Sequence, residues 1–132
     1  MQEYIDILHH IALFFIVVIL FIGVILGKWI IQYWANVSGK SPIEKWLDKL
    51  TKEQLNSVAE ELSVLEELGN ELKLPHSRAL GKGLFELRER QFGYRVYYCF
   101  KGNQLIILLA AGDKKSQEKD IKVAYKRLLE NK

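Results

Sequence analysis

Residues 84–111 read LFELRERQFGYRVYYCFKGNQLIILLAA, and their period decides the fold. The period here is two, and Leu84–Arg90 and Tyr94–Phe100 read as strands. A period of two belongs to strands with one face covered. Lys101-Gly102-Asn103 makes a hairpin turn, and Gln104–Ala111 is the next strand. If Phe92-Gly93 is a two-residue turn, Phe85 and Leu87 share a face with Tyr94, Val96, Tyr98 and Phe100. The opposite face then carries Glu86, Arg88, Arg90, Arg95, Tyr97 and Cys99. Like charges across strands repel, so three arginines on one side of a hairpin do little for folding and call for another use.

Upstream, the period becomes helical. Ser41-Pro42-Ile43-Glu44 opens a helix with a cap, a proline at the first helical position and a capping-box acid. Its stripe is Ile43, Trp46, Leu47 and Leu50. Thr51-Lys52-Glu53-Gln54 opens a longer helix with the stripe Leu55, Val58, Ala59, Leu62, Leu65 and Leu68, ended by Gly69. Trp29–Trp34 is a strand before the turn Asn36–Lys40, and residues 70–83 are a connector. Past the third strand, Ser116 or a neighbour caps a last helix with Ile121, Ala124, Tyr125 and Leu128 facing inward. The expected order over residues 29–132 is β-α-α-β-β-β-α, an α+β domain.

Residues 1–28 form a separate hydrophobic segment. Ile11–Leu26, IALFFIVVILFIGVIL, carries no charge. As a helix it is roughly 24 Å long, against a hydrocarbon core of about 30 Å, and Tyr4, Ile5, Ile7 and Leu8 lengthen it. Contact with a membrane through residues 11–27 is the expectation. Lys28 snorkels, and Trp29 and Trp34 sit at the interface. Lys28, Lys40 and Lys45 follow the segment and place the domain in the cytoplasm, tethered to the inner face of the plasma membrane. Glu3 and Asp6 stand where a secretory signal would be basic.

The net charge of +3 hides a division. Residues 44–71 hold eight acids and three lysines, whereas residues 73–132 hold fourteen basic residues and six acids. The acidic part reads as a solvated helix face, and the basic part as a surface for a polyanion. One cysteine, Cys99, forms no intrachain disulfide and no cysteine-rich metal site. His9, His10 and His76 lack metal-ligand spacing, and no cofactor is expected. Lys82 leads into the first strand of the hairpin, and Lys114, Lys115 and Gln117 leave the third. With the arginine face they outline a basic patch containing Tyr97. Such a patch suits phosphate contacts, with a ring to stack on an unpaired base.

ELR at residues 86–88, GYRVYY at 93–98, and GDKKSQEKDI at 112–121 resemble the RelE/ParE superfamily of toxins, the addiction-module killer proteins of type II toxin–antitoxin pairs. WLDKL at 46–50 fits as well, and the likeness covers about residues 29–130. Ala111-Gly112 replaces the family's usual Gly-Gly, and a hydrophobic leader is foreign to these toxins. The resemblance implies a microbial ribonuclease-like fold, a twisted and mostly antiparallel sheet packed on two N-terminal helices. It implies ribosome-dependent, metal-independent cleavage of mRNA through 2′-hydroxyl attack. Arg88, Arg95 and Lys114 or Lys115 then carry the chemistry, with Lys82, Arg90, Tyr97, Lys115 and Gln117 on the RNA. It also implies a cognate antitoxin of helix-turn-helix type. The same fold serves ParE-like gyrase inhibitors, which need no converging cationic site. A third reading is a membrane-tethered binding module whose basic face meets lipid or ribosomal RNA.

Overall fold

Two helix starts behave as their sequences dictate. Ser41 Oγ accepts the Glu44 N–H at 3.2 Å, with Pro42 in the first turn. Thr51 and Gln54 close a reciprocal capping box at 3.2 and 2.9 Å. Gly69 ends the second helix at φ +50°, and the Trp29 ring lies where a Cβ on residue 69 would project. The structure, a computed structural model, describes residues 1–26 and 28–130, with side chains at residues 20–26 left aside. Part of the expected membrane segment therefore lies outside the described side chains.

The elements are α1 (Gln2–Leu26), β1 (Ile30–Tyr33), α2 (Pro42–Asp48), α3 (Lys52–Leu68), a 3-10 turn (Gly69–Glu71), β2 (Ser77–Gly81), β3 (Leu84–Arg88), β4 (Arg95–Lys101), β5 (Leu105–Gly112) and α4 (Gln117–Glu130). One sheet runs β1-β5-β4-β3-β2. β1 is parallel to β5, and the other pairings are antiparallel. β2 was not expected, since residues 70–83 read as connector. It is an edge strand exposed along most of its length, so it shows little of the apolar alternation that marks a covered strand.

The sheet is covered on both faces. On one, α2 and α3 place Ile43, Leu47, Val58 and Leu65 against Leu87, Val96, Tyr98, Ile106 and Leu108. On the other, α4 places Ala124 against Leu84, Tyr97, Cys99, Ile107, Leu109 and Ala110. A bulge at Leu109 sets Tyr97 opposite Ala110 and Tyr98 opposite Leu108. Leu109 and Ala110 therefore both join the α4 side, which strict alternation forbids.

α1 stands apart from these layers. None of its Gln2–Ile19 portion is buried.

Candidate functional site

The β3–β4 loop is longer than a two-residue turn. β3 stops at Arg88, and Glu89 N–H donates to Tyr94 O at 2.9 Å. Glu89 is buried. Its carboxylate accepts N–H groups of Gln91 (2.6 Å), Phe92 (3.0 Å) and Tyr94 (3.2 Å) and the Ser57 hydroxyl (2.8 Å). The loop is thus wrapped around a carboxylate. The register moves by two residues from the expected one, and two is the period of the strand, so the faces survive.

That register places Arg88 directly opposite Arg95, and Arg95 opposite Gly112. Three neighbouring strands contribute one transverse row, with paired Cα atoms about 5 Å apart. Immediately beyond Gly112 comes the turn Asp113–Ser116, from which Lys114 and Lys115 are exposed. Two arginines from adjacent strands and two lysines from the tip of a third therefore gather at one end of the sheet.

Beneath the row lies Glu86, whose side chain is 0 % exposed. Its Oε1 accepts Arg78 Nε at 3.1 Å and lies 3.6 Å from Arg95 Nε. Its Oε2 accepts Gln117 Nε2 at 2.8 Å. Arg78 went unrecognised in the sequence because it lies on the unrecognised strand β2. Arg95 is 11 % exposed. Arg88 makes no ion pair among the described residues. The Nε atoms of Arg88 and Arg95 are buried without a hydrogen-bond acceptor, as is the Tyr97 hydroxyl. Buried donors lacking a partner are uncommon, and here two belong to cations that face one another. Both side chains are cationic, and a phosphodiester complements that charge.

Several expected contacts fall elsewhere. Tyr97 is 0 % exposed under α4 and has no face open for a base to stack on. Burial raises its hydroxyl well above the ordinary tyrosine value, and the Glu86 charge adds to this, so it stays protonated as a donor. Gln117 is committed to Glu86. Lys82 is in the β2–β3 turn at the far end of the sheet, since the run Leu84–Arg88 alone spans about 13 Å. Arg90 is exposed in the loop rather than on the strand. His76 is a backbone neighbour of Arg88, whose N–H donates to its carbonyl at 2.8 Å. Its ring is held by Glu61 of α3 at 2.9 Å, which ties it to the other layer. No cluster of three or more metal-ligating side chains occurs among the described residues.

The turn that carries the lysines is built from its own residues. The Asp113 carboxylate accepts the Ser116 N–H at 3.0 Å, and Ser116 Oγ accepts the Asp113 N–H at 3.2 Å. The Ser116 N–H holds Asp113 below the usual carboxylate range, and the nearby Lys115 charge acts in the same direction. Ser116 Oγ also donates to Asp120, whose pKa is raised chiefly by burial. Both groups press against Gly112, where a Cβ would overlap them.

A mixed five-stranded sheet with two helices on one face and a cationic row at one end defines a RelE-like fold. The free-state structure of a double arginine-to-alanine mutant of E. coli toxin RelE superposes with a TM-score of 0.58 at 15 % identity, covering 76 % of this chain and 97 % of that one. An uncharacterized protein of Haemophilus influenzae is 37 % identical over 86 residues, 61 % of this chain and 80 % of the relative. The family model described as Phage derived protein Gp49-like (DUF891) matches residues 45–129, and the chain belongs to this family of RelE/HigB-type toxins.

Proposed function

We propose that this toxin cuts messenger RNA on the ribosome by driving a 2′-hydroxyl onto its neighbouring phosphodiester. The observation that carries the reading is the Arg88–Arg95–Gly112 row, in which Arg95 is ion-paired only to Glu86 and Arg88 makes no ion pair among the described residues. As the 2′-hydroxyl gives its proton to water and its oxygen bonds to phosphorus, negative charge grows on the non-bridging oxygens. Arg88 and Arg95 are set to receive it. The bond from phosphorus to the 5′-oxygen then breaks, and Lys114 or Lys115 supplies the proton or charge that this oxygen needs. The products are a 2′,3′-cyclic phosphate and a 5′-hydroxyl.

Among the described residues the arginine row holds no histidine, since the His76 ring is held toward Glu61 of α3. Orientation of the substrate must then provide much of the rate, which is what a ribosome-bound message offers. An antitoxin of helix-turn-helix type covering the cationic end completes the reading.

The test is induced expression followed by mapping of transcript ends on translating ribosomes. New ends inside coding regions are expected, and Arg95→Ala should lower their yield by roughly 10²–10³. Double-strand DNA breaks without new transcript ends would replace the nuclease with a gyrase inhibitor.

A further inference from the structure

The sheet has two unlike ends. One carries Arg88, Arg95 and the Asp113–Ser116 turn. The other is where the chain enters the domain, because the Ile30 N–H that starts β1 donates to Gln104 O at 2.8 Å beside the β4–β5 turn. Lys82 and Lys101 line one hollow of about 410 Å³ at this entry end, together with Cys99, Phe100 and Leu128. Lys28 is exposed just before β1. The run Arg95–Lys101 separates the two ends by about 20 Å.

α1 is 25 residues long, and residues 7–26, which follow its last acid, span about 30 Å, the thickness of a hydrocarbon core. Phe14, Phe15, Ile16 and Val17 follow one another around a full turn, and each is more than half exposed. An apolar surface on every side, with no protein layer against it, matches lipid rather than the single contact face of a packed helix. From Leu26 to Ile30 the chain reaches at most about 14 Å, so the entry end is held close to wherever α1 sits.

We propose that α1 spans a bilayer containing acidic phospholipid and that the domain meets the headgroups with its entry end, through Lys28, Lys82 and Lys101. The cationic row then opens away from the membrane, on the side of the bilayer that receives the basic flank. Lys82, expected on RNA, becomes a lipid contact. Glu66 is at the same end, its carbonyl accepting the Trp29 N–H. The three lysines outnumber Glu66 and Glu130, the latter sharing a hollow with Lys101, so attraction to headgroups orients the domain while α1 holds it. Only the role given to the outward end rests on the nuclease reading.

The experiment uses the full chain carrying Arg95→Ala, which permits expression. The chain should stay with membranes through an alkaline carbonate wash, and protease should reach its domain only in inverted vesicles. Release by the wash, a soluble oligomer, or a shorter product lacking α1 would overturn the anchor. For orientation, Lys82→Cys or Lys114→Cys is labelled with a fluorescent maleimide. Cys99 is buried and does not compete under native conditions. In vesicles of acidic phospholipid with nitroxide-tagged headgroups, quenching at position 82 should exceed that at 114 several-fold. Equal or reversed quenching would overturn the orientation. Phe15→Lys with Val17→Lys, on the otherwise unaltered chain, should release the protein while new transcript ends persist; retention on the membrane contradicts the anchor. All the membrane readouts are indifferent to whether RNA is cut.

Discussion

Glu86 is a buried carboxylate held by Arg78, Arg95 and Gln117, and its charge is what allows two arginines to face each other. Glu86→Gln keeps the shape and removes the charge. It leaves the cations uncompensated, so a loss of about 3 kcal/mol in urea unfolding is expected. Gly112→Ala should cost about 1–3 kcal/mol in the same measurement, because its methyl would displace the Asp120 carboxylate and the Ser116 hydroxyl. The arginine pair was legible in the sequence because a strand's face depends only on parity, and parity survived the longer loop. The burial of Tyr97 was not legible, for a different reason. Alternation assigns a face but not what covers it, and α4 lies over the face that appeared free.

Among the elements, α3 depends on its start. Thr51→Ala removes the acceptor for the Gln54 N–H and should lower stability by about 1 kcal/mol in thermal or urea unfolding. Both helix starts were readable because caps are local chemistry. β2 was not, because an exposed edge strand carries no periodic apolar signal. The Asp113–Ser116 turn gives a pH dependence whose sign can be worked out. Asp113 has a lowered folded pKa, so its contribution is present above the ordinary aspartate value of about 3.9 and is lost as pH falls through the folded value. Asp120 is raised by burial, so its contribution to stability declines as pH rises from the ordinary value through the folded one. Asp113→Asn should therefore melt below the parent at pH 7 and converge with it in acid. For Asp120→Asn, the melting point relative to the parent should rise between acid and pH 7.

For the whole molecule, removal of residues 1–19 should leave the melting curve of the remainder unchanged, since none of Gln2–Ile19 is buried. Calorimetry of the two forms in detergent checks this. The charge division seen in the sequence also has a spatial sense, with the acids concentrated on α2 and α3 and the arginine row on the α4 side. What composition could not show is that entry and chemistry lie at opposite ends of the strands. That follows from the parallel pairing of β1 with β5. It has an engineering corollary. α4 brings Leu128 to the hollow shared by Lys82 and Lys101, so residues 28 and 130 emerge on the same side of the fold. A short peptide could join them and the backbone could be opened afresh within the exposed Asn36–Lys40 turn, giving a circular permutant with the arginine row intact.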